Sequence, residues 1–340
     1  MAGYIRFCFL FLAFAMVGCG NHSESGEVII QSIRNNLIDV SSQVREFSPD
    51  ELPMSSSHAY LQVHDNFIIV KDHKAVGKMI HLFNKDTWDY VGSAGDLGQG
   101  PGEISNLGSV AIDALSGLLL VTDLGGSRVL SYDIDSIRVL ADYTPHVRAR
   151  FENATIPISY QYLNDTLSYG VIGNANFEKN TMAQMAGIWN MSTGEVITHQ
   201  HELANLKVFR VSCAYSTEHQ TLVECNRYYD LINVFDKDLN LKFRIKGPRW
   251  SASGDNMSHF GDVVWYKDKF IAAYAGYDYD KHQYAKQCHV FSMNGDYVMT
   301  LNIGKNIWHL TIDEENGILY FTFADEVIQF GYLDLKGILD

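Results

Sequence analysis

Three histidines and an arginine stand at or just before short apolar runs that lie far apart in the chain. His58 precedes "AYLQVHDNFIIVKD", Arg210 precedes "VSCAY", His259 sits in "SHFGDVVWY" and His309 in "WHLTIDEENGILYFTF"; Asn106 and Tyr160 hold comparable places. Imidazoles bind metals or exchange protons near neutral pH, and a guanidinium grips a carboxylate or phosphate bidentately. If the runs converge, these residues form a local basic patch suited to an anionic sugar or a peptide end. A histidine-containing hydrolase or lyase site is the alternative. A lone histidine beside a strand is also commonly just a hydrogen-bonded surface residue, so the residue types leave these readings open.

Other candidates are more local. His199 and His201 in "THQHEL" are two apart, which on a strand places both on one face, but no third metal ligand accompanies them. Asp278 and Asp280 in "GYDYDKHQY" have neither EF-hand spacing nor a partner carboxylate. Tyr274, Tyr277, Tyr279 and Tyr284 surround that loop, and exposed tyrosines stack well on sugar rings or peptide side chains. Neither G-x-S-x-G nor H-E-x-x-H occurs, since His201 and Glu202 are followed only by Leu203 to Asn205. The glycine-rich "GDLGQGPGEI" (95–104) is not a nucleotide loop: "GQGPGEIS" has no lysine, and the next segment, "SVAIDALSGLLLVTD", alternates as strands do. Gly98, Gly100 and Gly102 are expected to permit positive φ and close backbone approach, with Pro101 stiffening the crossing. No metal site and no cofactor is expected.

At its N-terminus the chain reads "MAGYIRFCFLFLAFAMVGCGNHSESGE", with Arg6, an apolar run from Phe7 to Val17, then Gly18 and Cys19. The run is shorter than the roughly 20 residues that span a bilayer, so it reads as an export signal. Met16, Val17, Gly18 and Cys19 resemble the bacterial lipoprotein signal, which implies cleavage after residue 18 and lipid on Cys19. Residues 19–30 are then the lipidated cysteine and a tether, and 31–340 a single domain. The partner implied is a membrane, through the lipid, and the location is the cell envelope, expected at the outer membrane and facing periplasm or surface. A formal net charge of −14 disfavours the phosphate-led binding of nucleic-acid proteins. Cys213 in "FRVSCAY" and Cys225 in "TLVECNR" would lie opposite each other if their strands turned about His219, giving either a cross-strand disulfide or two buried thiols.

Nearly every segment after the tether is strand-like. Hairpins such as "SVAIDALSGLLLVTD" alternate with second hairpins such as "RVLSYDIDSIRVLAD" and "LINVFDKDLNLKFRI". An aromatic recurs before the turn of the second hairpin, at Phe83, Tyr132, Trp189, Phe235, Phe291 and Phe330, at intervals of about 39 to 57 residues, near the blade period of propellers. A four-stranded meander has two apolar faces and needs neighbours on both. The expectation is an all-β, six-bladed propeller of four-stranded antiparallel blades at 56–94, 107–143, 156–202, 208–247, 260–304 and 307–335. A β-sandwich with a smaller sheet domain gives no reason for the sixfold aromatic. The early "NNLIDVSSQVREF" has no blade of its own and is expected to supply a strand closing the ring against the last blade.

Residues 92–135, with their glycine-rich lead, hairpin, Asp123, and Arg128 and Val129 before Tyr132, resemble an NHL-type repeat. The mature chain as a whole is similar to the TolB-like six-bladed propeller lipoproteins of Bacteroides-type bacteria. That resemblance implies structural roles for Asp123 and Arg128, tying strands to turns. It implies a binding or interaction role toward carbohydrate, peptide or an envelope protein, with no assigned reaction.

Overall fold

Short β-branched and aromatic runs such as "FIIVKD" and "LLLVTD", each cut off by Asp, Asn or Gly turns, suit strands buried on both faces and leave little room for helices. The computed structural model describes residues 26–47 and 59–340, apart from 141, 153, 177, 179, 180, 200–209, 255, 282 and 325–327. It is an all-β, six-bladed propeller. Four blades are separate antiparallel meanders built outward from Ala59–His64, Leu107–Asp113, Thr155–Asn164 and Val211–Ser216. Blades five and six share the long strand Tyr297–Asp313, whose first part is the outer strand of one blade and whose second part is the inner strand of the next.

All six recurring aromatics fall on the third strand of their blades, and all are buried. Each fills the space between neighbouring sheets, as where Trp189 meets Tyr160 edge-on at 5.1 Å with Ala111 and Leu120 of blade two in the same cluster. The repeat seen in the sequence is therefore a packing repeat.

The N-terminal segment is a belt around the outside of the ring. Glu27–Ile30 runs parallel to the outer strand of blade four, Leu37–Asp39 parallel to that of blade five, and Arg45–Phe47 antiparallel to Ile328–Asp334 of blade six. The last of these lies in the "REF" of the expected closing segment. The strand Glu27–Ile30 thus lies inside the stretch assigned to the tether.

Three local expectations are corrected. Blade two does not end at 143: "IDSIRV" forms a short helix, Ile134–Val139, because the Asp133 side chain caps Ser136 N–H and Ile134 and Ile137 turn inward, and the outer strand is His146–Arg150. Cys213 pairs with Glu224, and Cys225 with Ser212, so the hairpin register is one residue off that expected and both cysteines are free thiols. Gly98, Gly100 and Gly102 keep ordinary φ; only Gly95 in this stretch has a positive one, +74°. Close approach is what these glycines supply, since a Cβ on Gly98 would strike the Glu103 carboxylate and one on Gly102 would lie 3.0 Å from Pro145 Cδ.

The glycine-rich joint crosses from the outer strand Tyr90–Asp96 to the inner strand Leu107–Asp113, and two residues hold it. Asp123 accepts from Ser105 N–H (3.0 Å), Ser105 Oγ (2.8 Å) and Asn106 N–H (3.2 Å), and pairs with Arg128 Nε (3.1 Å). Arg128 also donates to the carbonyls of Pro101 (3.0 Å), Gly100 (3.3 Å) and Glu103 (2.8 Å). Beyond a single backbone bridge between Leu97 and Ile104, these two side chains supply partners that a ladder would otherwise give the loop.

Candidate functional site

Each inner strand of a propeller has one edge open toward the next blade, and its backbone groups need partners there. Here every seam is bridged by a polar side chain of an inner strand. Gln62 Nε2 donates to the Val110 carbonyl (3.1 Å), and Ser109 Oγ accepts from Tyr160 N–H (3.3 Å). Gln161 Oε1 accepts from Tyr215 N–H (3.4 Å), and Ser212 Oγ donates to the Gly261 carbonyl (2.5 Å). Asp262 Oδ2 accepts from Leu310 N–H (3.2 Å), and Thr311 Oγ1 accepts from Val63 N–H (3.2 Å), which closes the circle. All six side chains line a central channel of about 730 Å³.

Five members of this ring are neutral, and Asp262 is the exception. Its Oδ2 also lies 2.6 Å from His309 Nδ1. Burial alone would raise the Asp262 carboxyl, but the His309 imidazole, the Leu310 N–H and the Arg227 guanidinium outweigh it and hold the group below its usual range. Its side chain still presents 34 % of its surface to the channel, enough to be met by a ligand. Lys71, on the second strand of blade one, reaches the same channel; burial pushes its ammonium down to about 7 against the pull of Asp262. Burial and the charge of Lys71 hold the His64 imidazole down to about 4, where the Gln62 amide meets its Nε2 at 2.5 Å. Arg227 is exposed, and His73 joins it on the channel lining.

The expected residues separate. Tyr160 and His309 line the channel, where the Tyr160 hydroxyl meets Thr122 Oγ1 at 3.0 Å and burial pushes it up to about 12. His259 is fully buried and off the channel lining, its ring 6.1 Å from that of Tyr274, because the ladder of its strand is irregular between Ser258 and Val263. Arg210 is exposed and also off the lining, ahead of the strand that starts at Val211. His58 lies outside the described residues, as do Cys19 and His201. His199 packs against Phe235 at 4.5 Å. Tyr277 lines a second cavity on blade five; Tyr279 has a described backbone only. The three-histidine convergence is not formed by His259 and His309.

Lys71, Arg227 and Asp262 were missed because they do not stand at strand starts. A signal for the ring was nonetheless present in "LQV", "GSV", "YQY", "VSC", "GDV" and "LTI", apolar–polar–apolar triplets once per blade, of which one alone carries a charge. Among the described residues no group of three or more His, Cys, Asp or Glu side chains could hold a metal ion, and no helix is long and apolar enough to cross a membrane.

This ring of four-stranded blades around a lined channel defines a propeller of the kind often used for ligand binding and protein interaction. A family described as a 6-bladed beta-propeller, DUF5128, matches residues 49–238, more than half of the chain, and the chain belongs to that family. The family shown is this one rather than an NHL- or TolB-type group. Among solved structures, an exported protein of Bacteroides fragilis is similar at 11% identity and a TM-score of 0.54, over 90% of this chain and 98% of its own. A DUF4221 family member from Bacteroides vulgatus is similar at 11% identity and a TM-score of 0.55, over 86% and 98%. The calcium-binding protein regucalcin of Agrobacterium tumefaciens is similar at 10% identity and a TM-score of 0.52, over 90% and 95%. At such identities the likeness is one of fold. Among curated proteins there is no match.

Proposed function

We propose that this chain is a cell-envelope lipoprotein, anchored through Cys19, whose central channel binds a solute carrying a carboxylate, as an acidic sugar or a peptide end does. The observation that supports this best is the gathering of Lys71, His73, Arg227 and His309 on one channel in a chain of net charge −14, with Asp262 already engaged by His309 and Leu310. On the lining Lys71 and Arg227 stand against two carboxylates, Asp262 and Glu314, so an anion meets less repulsion there than over the rest of a strongly negative chain. The kinship to NHL-type propellers over residues 92–135 belongs to the same reading, supported by the Asp123–Arg128 latch.

Titration calorimetry with galacturonate is expected to give binding that weakens at least tenfold in Lys71→Met and Arg227→Gln. Lys71→Met is expected to keep or gain folding stability, because it removes a poorly solvated cation. Equal affinity for neutral galactose would overturn the reading. For the anchor, mass spectrometry of the mature protein is expected to find diacylglycerol on Cys19, and a mature N-terminus at another residue would remove that part of the proposal.

A hydrolase or lyase is the second reading, favoured by the Asp262 contact to His309 Nδ1. A carboxylate so placed fixes the tautomer of a general base. Its mark would be turnover of the bound solute that disappears in His309→Asn.

A further inference from the structure

We infer that the channel is one subsite of a longer site for an acidic oligosaccharide, and that Tyr284 and Trp308 form the next subsite, on which a neighbouring sugar ring stacks. This rests on the reading of the channel as a binder of carboxylate-bearing solutes. Antiparallel pairing of Ala285 with Ile307 sets Tyr284 beside Trp308, and their rings stack with centroids 5.9 Å apart at 22°. Both remain well exposed, at 38% and 37%. The ladder of the following strand pair is irregular between Ile307 and His309, and a bulge re-aims side chains. Trp308, which stands at that irregularity, lines the channel together with His309. One aromatic thus belongs to the channel wall and to the stacked pair.

Beyond Tyr284 lies a second cavity of about 550 Å³, lined by Tyr277, Gln283, Tyr284, Lys286 and Asn306. Aromatic faces bordered by side-chain amides match a sugar, which has an apolar C–H face and a rim of hydroxyls. Lys286 continues the positive character of the channel toward further acidic residues of a chain. A bound peptide draws affinity from main-chain hydrogen bonds along an open strand edge or from deep apolar pockets. Here the strands on both sides of the pair are already laddered, and what the rim presents is ring faces and amides.

Calorimetry on the full mature chain with trigalacturonate, galacturonate, triglutamate and neutral cellotriose tests the inference. Trigalacturonate is expected to bind at least tenfold more tightly than galacturonate, with triglutamate and cellotriose weaker than either. In Tyr284→Ala and in Trp308→Ala the ratio of the two uronate affinities should fall close to one, and Trp308→Phe should restore most of it. Tyr284 is the more exposed partner, so its variant carries the test if Trp308→Ala lowers the thermal midpoint. An unchanged ratio in Tyr284→Ala and Trp308→Ala alike, or tighter binding of triglutamate, overturns the aromatic subsite while leaving a galacturonate-binding channel standing. No binding of galacturonate or trigalacturonate by the unmodified protein overturns both readings.

Discussion

Replacing Arg34 with methionine is expected to lower the free energy of unfolding by about 3–5 kcal/mol, measured by urea denaturation at pH 7, because it strands a buried carboxylate. Arg34 Nη1 lies 2.7 Å from Asp230 Oδ1, and the two side chains are 3% and 0% exposed. Asp230 follows the second strand of blade four, whereas the guanidinium also lies over Phe291 at 5.1 Å and Phe260 at 5.8 Å, both of blade five. Gln31 Oε1 accepts from Arg34 Nε at 2.8 Å and keeps the side chain aimed inward. One residue of the belt thus pins two blades together. Adding Asp230→Leu to the variant removes the stranded charge and should recover a large part of the loss. A change under about 1 kcal/mol would mean that the pair behaves like a solvent-exposed one.

Acid is expected to destabilise the protein between about pH 6.5 and pH 4, and His289 supplies much of the effect. Burial first, and the charge of Arg34 second, hold this imidazole down to about 3. It stacks on Tyr274 with ring centroids 3.9 Å apart and is 4% exposed. The unfolded chain takes up a proton near pH 6.5 that the folded chain refuses, so stability is fully present above that pH and is lost as pH falls toward the folded value. At pH 4.5 the contribution of this one group is a loss of about 2–3 kcal/mol relative to pH 7.5. His64 acts in the same direction from about 4. Denaturation curves for His289→Phe, which keeps an aromatic ring against Tyr274, should show a shallower dependence on pH over this interval. The slope is the readout, so any repacking cost common to both pH values drops out. An unaltered slope would mean that His289 is reached by protons in the folded state.

The fold was legible because its cause is periodic. Phe83, Tyr132, Trp189, Phe235, Phe291 and Phe330 mark the same buried place in each blade, and a pattern repeated six times survives local irregularity. "REF" was legible as a closing strand for a different reason: an apolar stretch with no blade of its own has to find an edge. "IDSIRV" was read as the turn and second strand of a hairpin, but Ile134 and Ile137 are three apart, a helical spacing, and the Asp133 cap starts a helix there. The cysteine pairing failed by one position in the register of a hairpin, which a turn of four residues sets and composition does not. At the site, His309 was visible from its place at a strand, but Asp262 owes its character to His309 and Arg227 and Lys71 owes its own to burial, and closeness in space is what a linear reading lacks. His259 was misplaced because a ladder irregularity shifted its strand relative to the channel.

The pairing of Arg45–Phe47 with Ile328–Asp334 also sets an order on how the molecule is made. A chain delivered from its N-terminus presents this strand early and its partner almost last. While the intervening blades emerge, the ring stays an open arc with unsatisfied strand edges at both ends, and edges of that kind pair readily with other molecules. Contacts between such distant parts of a chain also close slowly. The circular seam of polar side chains is completed in the same late step, since Thr311 meets Val63 only when the sixth blade comes round to the first. The channel therefore does not exist until the sixth blade meets the first, and it comes into being all at once.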